Sequence, residues 1–276
     1  MRLSVLARKL IGISHRIAAA GAGSGIGRAI ALRLAGEGAI VHCVDLNNDN
    51  AQAVARECGK AVAHRVDVSD ADAVKRLADT LFADGGRVDI LINNAGIAHA
   101  GKIIDCEIED WRRLLDVNVM GVVHGIDAFL PRMLEQKTPG HIVNTASGAG
   151  LFASPGVGPY CASKHAIVGL SQVLAAELHD TPIEVTILCP GIVNTPIIQA
   201  SQFRGYPEGR KEKTMAFYAK RAATPERIAN DLLKAMRKGK LFCITRRMEV
   251  GLSWYLHRLS PQLGLAASRR MMKMLE

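Results

Sequence analysis

Tyr160 and Lys164 stand four residues apart in a stretch that runs Pro159, Tyr160, Cys161, Ala162, Ser163, Lys164. On a helix that spacing puts both side chains on one face, a turn from each other. An isolated phenol titrates near ~10 and is a poor proton acceptor at neutral pH. A neighbouring ammonium favours the phenolate and lowers that value. Upstream, Ser147 follows an apolar run, 141–146, and precedes Gly148 and Gly150, a setting in which an exposed hydroxyl can meet the tyrosine across a pocket. Hydroxyl, phenol and ammonium together suit proton transfer to or from an alcohol oxygen. The same Tyr-x-x-x-Lys spacing also occurs on ordinary amphipathic helices with the ring in the core and the amine in water, so the pair does not decide alone.

A second signal lies near the start of the chain. The turn Gly21, Ala22, Gly23, Ser24, Gly25, Ile26, Gly27 follows a short apolar run and opens a helical pattern, the setting a dinucleotide pyrophosphate needs. From Arg16 onward, apolar strand-like runs at 17–20, 40–44, 61–66, 88–92, 141–145, 183–188 and 241–245 alternate with helical patterns at 24–35, 71–83, 111–134, 160–178 and 224–237. That alternation predicts an α/β domain of the Rossmann type, a doubly wound parallel sheet of about seven strands with helices on both faces. The first strand is alanine-rich and the weakest of the set by propensity.

Several strand ends carry polar or small residues. The second ends on Asp45, which can accept both ribose hydroxyls of NAD and repel the extra phosphate of NADP. Asp45 can equally cap a helix or the turn through Asn47, Asn48, Asp49 and Asn50. The third strand closes on Asp67 and Val68, the fourth on Asn93, Asn94, Ala95 and Gly96, and the sixth on Cys189, Pro190 and Gly191. The long 111–134 helix is interrupted by Asp116 and Asn118, polar where its flanks are apolar, which can mark a local distortion and a buried water site. The aperiodic stretch 192–221 reads as a substrate lid.

The 276 residues suit one catalytic domain at 16–248, with a basic N-terminal extension at 1–15 and a basic amphipathic C-terminal extension at 249–276. No run approaches the ~20 uninterrupted apolar residues of a membrane span. The six cysteines form no C-x-x-C or Cys/His cluster. This excludes an obvious metal site and favours reduced packing thiols in a cytoplasmic compartment. Net charge is +9, and residues 203–276 hold 17 Lys+Arg against 6 Asp+Glu, so the basicity belongs to the C-terminal region. A solvated helical face, or contact with an acidic partner, a membrane surface or an anionic carrier group, accounts for it equally well. The tail, which Pro261 divides, either packs on the substrate pocket or a neighbouring subunit, the favoured reading, or lies on a membrane surface.

With these residues in view, the chain resembles a short-chain dehydrogenase/reductase of the single-domain branch over roughly residues 12–245. The resemblance implies a catalytic tetrad of Asn118, Ser147, Tyr160 and Lys164. It implies a phosphate turn at Gly21, Ser24, Gly25, Ile26 and Gly27, with Ile26 where other dinucleotide folds place a third glycine. It further implies an adenine contact at Asp67 and Val68, an adenosine-ribose border at Asn94, Ala95 and Gly96, and a carboxamide clamp at Pro190, Gly191, Val193 and Thr195. Tyr160 and Lys164 would also touch the nicotinamide ribose. The family usually carries threonine where Ala20 stands, so a looser turn is expected. The implied cofactor is NAD, with NADP less favoured because of Asp45, and the implied partners are a small alcohol or ketone and further copies of the chain, as a homodimer or homotetramer, with no nucleic acid. The activity expected is interconversion of a lipophilic secondary alcohol and its ketone. The alternatives are a 3-oxoacyl reductase acting on a carrier-protein or coenzyme A thioester and, more distantly, a non-catalytic dinucleotide sensor.

Overall fold

Strands β1 (Arg16–Ala20), β2 (Ile40–Asp45), β3 (Ala61–Arg65), β4 (Ile90–Asn93), β6 (Gly140–Thr145), β7 (Ile183–Cys189) and β9 (Phe242–Ile244) build one parallel sheet in the order β3-β2-β1-β4-β6-β7-β9. Two further strands, β5 (His99–Ala100) and β8 (Gln202–Phe203), pair with each other outside it. The computed structural model describes residues 15–245 and 250–273. The N-terminal extension up to residue 14 and the 248/249 boundary lie outside the described residues.

The two-residue period of a strand separates two apolar layers. Ile17, Ala19, Val41, Cys43, Ile90 and Ile92 face one side, where α1 (Gly25–Ala35), α2 (Asn48–Cys58) and α9 (Pro225–Met236) bring Ile30, Leu34, Val54, Ile228 and Leu232. Ala18, Val44, Leu91 and Ile142 face the other, where α3 (Ala71–Phe82), α5 (Gly121–Glu135) and α6 (Gly158–Glu177) bring Leu77, Leu81, Phe129, Met133 and Leu174. Because both faces are covered, the strands read as continuous apolar runs. The alanine-rich β1 holds because it is paired along its length to β2 on one side and β4 on the other. Sheet pairing and the burial of Ile17, Ala18 and Ala19 override its low intrinsic propensity.

Strand order reverses beside β1, with β2 and β3 on one hand and β4, β6, β7 and β9 on the other. In open α/β sheets the crevice at the carboxyl ends of strands at such a reversal is where ligands bind. All the strand-end residues singled out above sit on that edge.

Three segments differ from the sequence reading. The asparagine-rich turn is the first turn of α2, with Asn47 as N-cap accepting from the Asn50 N–H at 3.1 Å. The 111–134 helix is two helices, α4 (Ile108–Leu115) and α5, joined by a π-turn at Asp116–Met120. It is long and apolar enough to pass as a membrane span by composition, yet Leu114, Phe129 and Met133 on it are buried in the fold. Residues 192–221 are mostly structured, holding α7 (Ile197–Ala200), β8 and α8 (Arg210–Arg221). Beyond β9, α10 (Leu252–Leu259) and α11 (Pro261–Lys273) meet at Gly264, where an added Cβ would lie 2.6 Å from His257 Nδ1.

Candidate active site

Burial and one carbonyl fix the position of Lys164. Pro159 starts α6, and the helix carries Tyr160, Ser163 and Lys164 along the edge of the sheet. Lys164 is 4 % exposed, and its Nζ donates to the Thr145 carbonyl at 2.9 Å. Burial lowers its pKa to about 8, with the buried Cys189 thiol acting in the opposite sense. The ammonium lies 5.7 Å from the centroid of the half-buried Tyr160 ring. Ser147, at the end of β6, is half-buried in extended backbone and caps the short turn Gly148–Gly150, its oxygen accepting from the Ala149 N–H at 3.2 Å.

Asn118 sits in the π-turn and is completely buried. Its amide donates both protons, to the Ile97 carbonyl at 2.9 Å and to Ser163 Oγ at 3.1 Å, while its oxygen accepts from the Ile97 N–H at 2.8 Å. Ser163 in turn donates to the Tyr160 carbonyl at 2.8 Å. The side chain therefore ties the segment after β4 to the tyrosine helix, and with both amide protons engaged it has none left to offer a water. A π-turn shifts the backbone hydrogen-bond register, and such turns are frequent at functional sites. An added Cβ at Gly96 would lie 3.1 Å from Asn118 Oδ1 and 3.4 Å from Lys164 Nζ, so Gly96 joins asparagine and lysine at one point.

The glycine turn is built on close backbone approach. Gly21 has φ +68°, and an added Cβ there would meet the Ala95 backbone at 2.8 Å. A Cβ on Gly27 would overlap the Gly21 carbonyl and lie 2.6 Å from Asn94 Nδ2. Gly25, at φ +52°, lies under Thr195, whose Cγ2 is 3.0 Å from where its Cβ would be. The Gly21–Gly27 turn and the Pro190–Thr195 segment therefore meet face to face over the N-terminus of α1. Ala20 lacks the hydroxyl the family resemblance leads one to expect; the tie between turn and strand end is made instead by Asn94 Nδ2 donating to the Gly21 carbonyl at 3.4 Å, with Thr145 Oγ1 donating to Asn94 Oδ1 at 3.3 Å.

Asp45 ends β2 with its carboxylate half-buried. Oδ2 accepts from the Gly23 N–H and Oδ1 from the Asn47 N–H, each at 2.9 Å. Each oxygen keeps a lone pair, enough for a vicinal diol. Asp67 lies past the end of β3, exposed, and accepts from the Ser69 N–H and hydroxyl. Val68 packs against Gly121 of α5, and its carbonyl is 2.9 Å from His124 Nδ1. The Gly191 N–H donates to Thr245 Oγ1 at 3.2 Å, and Val193 bridges to Ala223.

Three contributors escaped sequence reasoning. Ser163 was legible as a small hydroxyl three residues after Tyr160 on the buried side of the helix. Thr145 and Thr245 are a strand residue and a post-strand residue with no local signal. Beyond Ser147, Leu151 and Phe152 are buried with Val250, and Trp254 packs on the same cluster.

These features are matched by relatedness. The family model for short chain dehydrogenases matches residues 16–204, and the chain belongs to that family. It is 38% identical over 234 residues to the probable oxidoreductase EphD of Mycobacterium tuberculosis, covering 81% of this chain and 40% of that protein. The chain thus spans well under half the length of that relative. It is also 38% identical over 212 residues to the meso-2,3-butanediol dehydrogenase of Serratia marcescens, covering 76% of this chain and 82% of that one. A short chain dehydrogenase/reductase from Burkholderia phymatum, solved in complex with NAD, superposes with a TM-score of 0.84 at 29% identity, covering 92% of this chain and 96% of that chain. The close-approach glycines and the spare lone pairs of Asp45 have the chemistry to receive a dinucleotide such as the one held by the Burkholderia protein.

Proposed function

We propose that the protein interconverts a lipophilic secondary alcohol and its ketone with NAD in preference to NADP. The observation that carries this reading is Lys164: a fully buried amine held by the Thr145 carbonyl, one helical turn from Tyr160 and beside Gly96. A buried ammonium with its pKa lowered to about 8 still carries its charge at neutral pH, and in a water-poor site that charge favours a phenolate strongly. When bound, the dinucleotide supplies the hydride acceptor or donor.

In this reading Ser147 hydrogen-bonds the substrate oxygen and orients it, and Tyr160 takes the alcohol proton, or gives it in the reducing direction. Lys164 sets the acidity of Tyr160 and holds the nicotinamide ribose. Asn118 fixes the shape of the site through Ile97 and Ser163, and a water on the π-turn backbone would carry the proton from the lysine toward solvent. Gly21, Ser24, Gly25, Ile26 and Gly27 would receive the pyrophosphate at the α1 N-terminus, Asp67 and Val68 the adenine, Asn94, Ala95 and Gly96 the adenosine ribose, and Pro190, Gly191, Val193 and Thr195 the carboxamide. Asp45 would accept both ribose hydroxyls on its spare lone pairs and oppose a 2′-phosphate by charge. The apolar wall of Leu151, Phe152, Val250 and Trp254 supports a lipophilic substrate. Six free cysteines support a reducing, cytoplasmic setting. Exposed Ile108, Leu115 and Met120 along the π-interrupted helix and Val173 on α6 support assembly as a homodimer or homotetramer through those helices.

The basic C-terminal region favours a second reading, reduction of 3-oxoacyl groups on an acidic carrier or coenzyme A. Fluorescence titration with NADH and NADPH, in the wild type and in Asp45→Ala, separates the two. At least tenfold preference for NADH, about 1.4 kcal/mol, that disappears in Asp45→Ala supports the NAD-linked alcohol reading. Preference for NADPH in the wild type overturns the Asp45 argument and brings the acyl reductase forward.

A further inference from the structure

The α10–α11 hairpin has two unlike faces. Its inner face is part of the fold: Val250 lies 3.1 Å from where a Cβ on Gly148 would be, Trp254 stacks on Phe242 with centroids 5.2 Å apart, and Ser268 Oγ donates to the Ala153 carbonyl at 2.7 Å. Two of those contacts, at Gly148 and Ala153, lie on the segment that follows Ser147, and the third is on β9, so the hairpin forms one wall on the substrate side. Among the described residues, its outer face has no such partners. Leu252, Tyr255 and Leu259, spaced three and four apart on one side of α10, are exposed at 57%, 61% and 82%, and Leu263 beyond the Ser260–Pro261 turn at 57%.

Charge distinguishes the occupants such a face could take. Residues 250–273 contain Arg258, Arg269, Arg270 and Lys273 and no acidic residue. Arg258 sits over the Trp254 ring at 5.1 Å, on the flank of the leucine row, and both Arg258 and Arg269 are exposed. A second copy of the same face would bring like charges together with no carboxylate between them. An apolar row bordered by aromatic and basic side chains on two helices too short to span a bilayer instead matches an anionic lipid surface, where leucines enter the headgroup boundary and arginines meet phosphate.

We infer that the outer face of the α10–α11 hairpin docks the enzyme on anionic membranes. Docking there places the substrate-side wall against the bilayer, so that a lipophilic alcohol or ketone reaches Ser147 and Tyr160 from the lipid rather than through water. This delivery rests on the lipophilic-substrate reading above, whereas the docking itself does not.

The test is sedimentation of the full chain with vesicles of phosphatidylcholine alone and with about a third phosphatidylglycerol, read beside NADH affinity. Binding to the anionic vesicles, at least about tenfold weaker to neutral ones and weakened on raising salt to about 0.5 M, is expected. Leu259→Glu/Leu263→Glu and, separately, Arg258→Glu/Arg269→Glu should each lower it about tenfold with NADH affinity unchanged. Recovery in the supernatant with both vesicles overturns the inference. So does vesicle binding that neither double variant weakens, or a drop in oligomeric state by light scattering in the leucine variant, which would assign the face to contacts between copies. Intact docking combined with turnover of polyols alone would leave the surface standing and remove the lipophilic-substrate reading.

Discussion

The two ends of the sheet's carboxyl edge are constructed differently. After β1 and β2 the loops are short and set chiefly by close backbone approach, Gly21 on Ala95 and Gly27 on the Gly21 carbonyl, with the Gly23 N–H on the Asp45 carboxylate. After β6 and β7 the connections are longer, and side chains add to their backbone bonds. Arg204 pairs with Glu107 at 2.8 Å and with the buried Asp110 at 3.1 Å, and the hairpin is tied down by Ser268 and Trp254. Backbone geometry suits a ligand whose shape never changes, because a methyl group on Gly21 or Gly27 has no room. Side-chain latches suit a substrate wall, because they can be exchanged without touching the sheet.

The first way to break this contrast is Gly27→Ala. Its methyl has no room beside the Gly21 carbonyl and Asn94 Nδ2, so NADH affinity should fall by at least about a hundredfold, roughly 2.7 kcal/mol, while circular dichroism stays native. An unchanged dissociation constant would mean the turn is not the dinucleotide site.

Next in size is the cost of holding Lys164 dry. Its folded pKa of about 8 lies below the unfolded value of 10.5, so between those values the unfolded chain binds the extra proton. Apo-protein stability should therefore rise from pH 8 toward 10, lost again as pH falls, by a contribution of order 3 kcal/mol at most. Chemical denaturation of the wild type and of Lys164→Met across that range checks it; the variant should lose the rise. Parallel curves would show that the amine is more hydrated than its burial implies.

The smallest effect belongs to the latch. The Asp110 carboxyl, which burial alone would push up, is held below the usual range by hydrogen bonds from Arg204 and the Glu107 N–H. Arg204→Met removes the partly exposed side of that pair and should raise KM about fivefold, near 1 kcal/mol, with kcat and NADH affinity little changed. Loss of NADH affinity instead would tie the Arg204 segment to the cofactor and erase the contrast.

The same contrast governs what the sequence made legible. Strand-end motifs such as Gly21–Gly27 and Asn93–Gly96 are local, because tight turns demand particular residue types, and the structure brings these motifs together along one edge. Apolar runs located the seven strands because a parallel sheet covered on both faces has no polar side. The α2 helix was hidden because Asn47 and Asn50 favour a turn and a capped helix start alike. The order of 192–221 was hidden because β5 and β8 are two residues each, paired across a hundred residues of chain, and α8 is too polar to show a period. The polar break at Asn118 was visible, but its partners Ile97 and Ser163 are set by tertiary packing.

The central claim is proton transfer by Tyr160 next to Lys164. Its most direct test is steady-state oxidation of a panel of medium-chain and cyclic secondary alcohols with NAD by the wild type and Tyr160→Phe, with NADH affinity measured on both. A kcat lower by about a thousandfold, within the range for general acid–base catalysis, at an NADH dissociation constant within about twofold, is the predicted result. Turnover by Tyr160→Phe equal to the wild type would contradict it and move the proton-transfer role away from this residue.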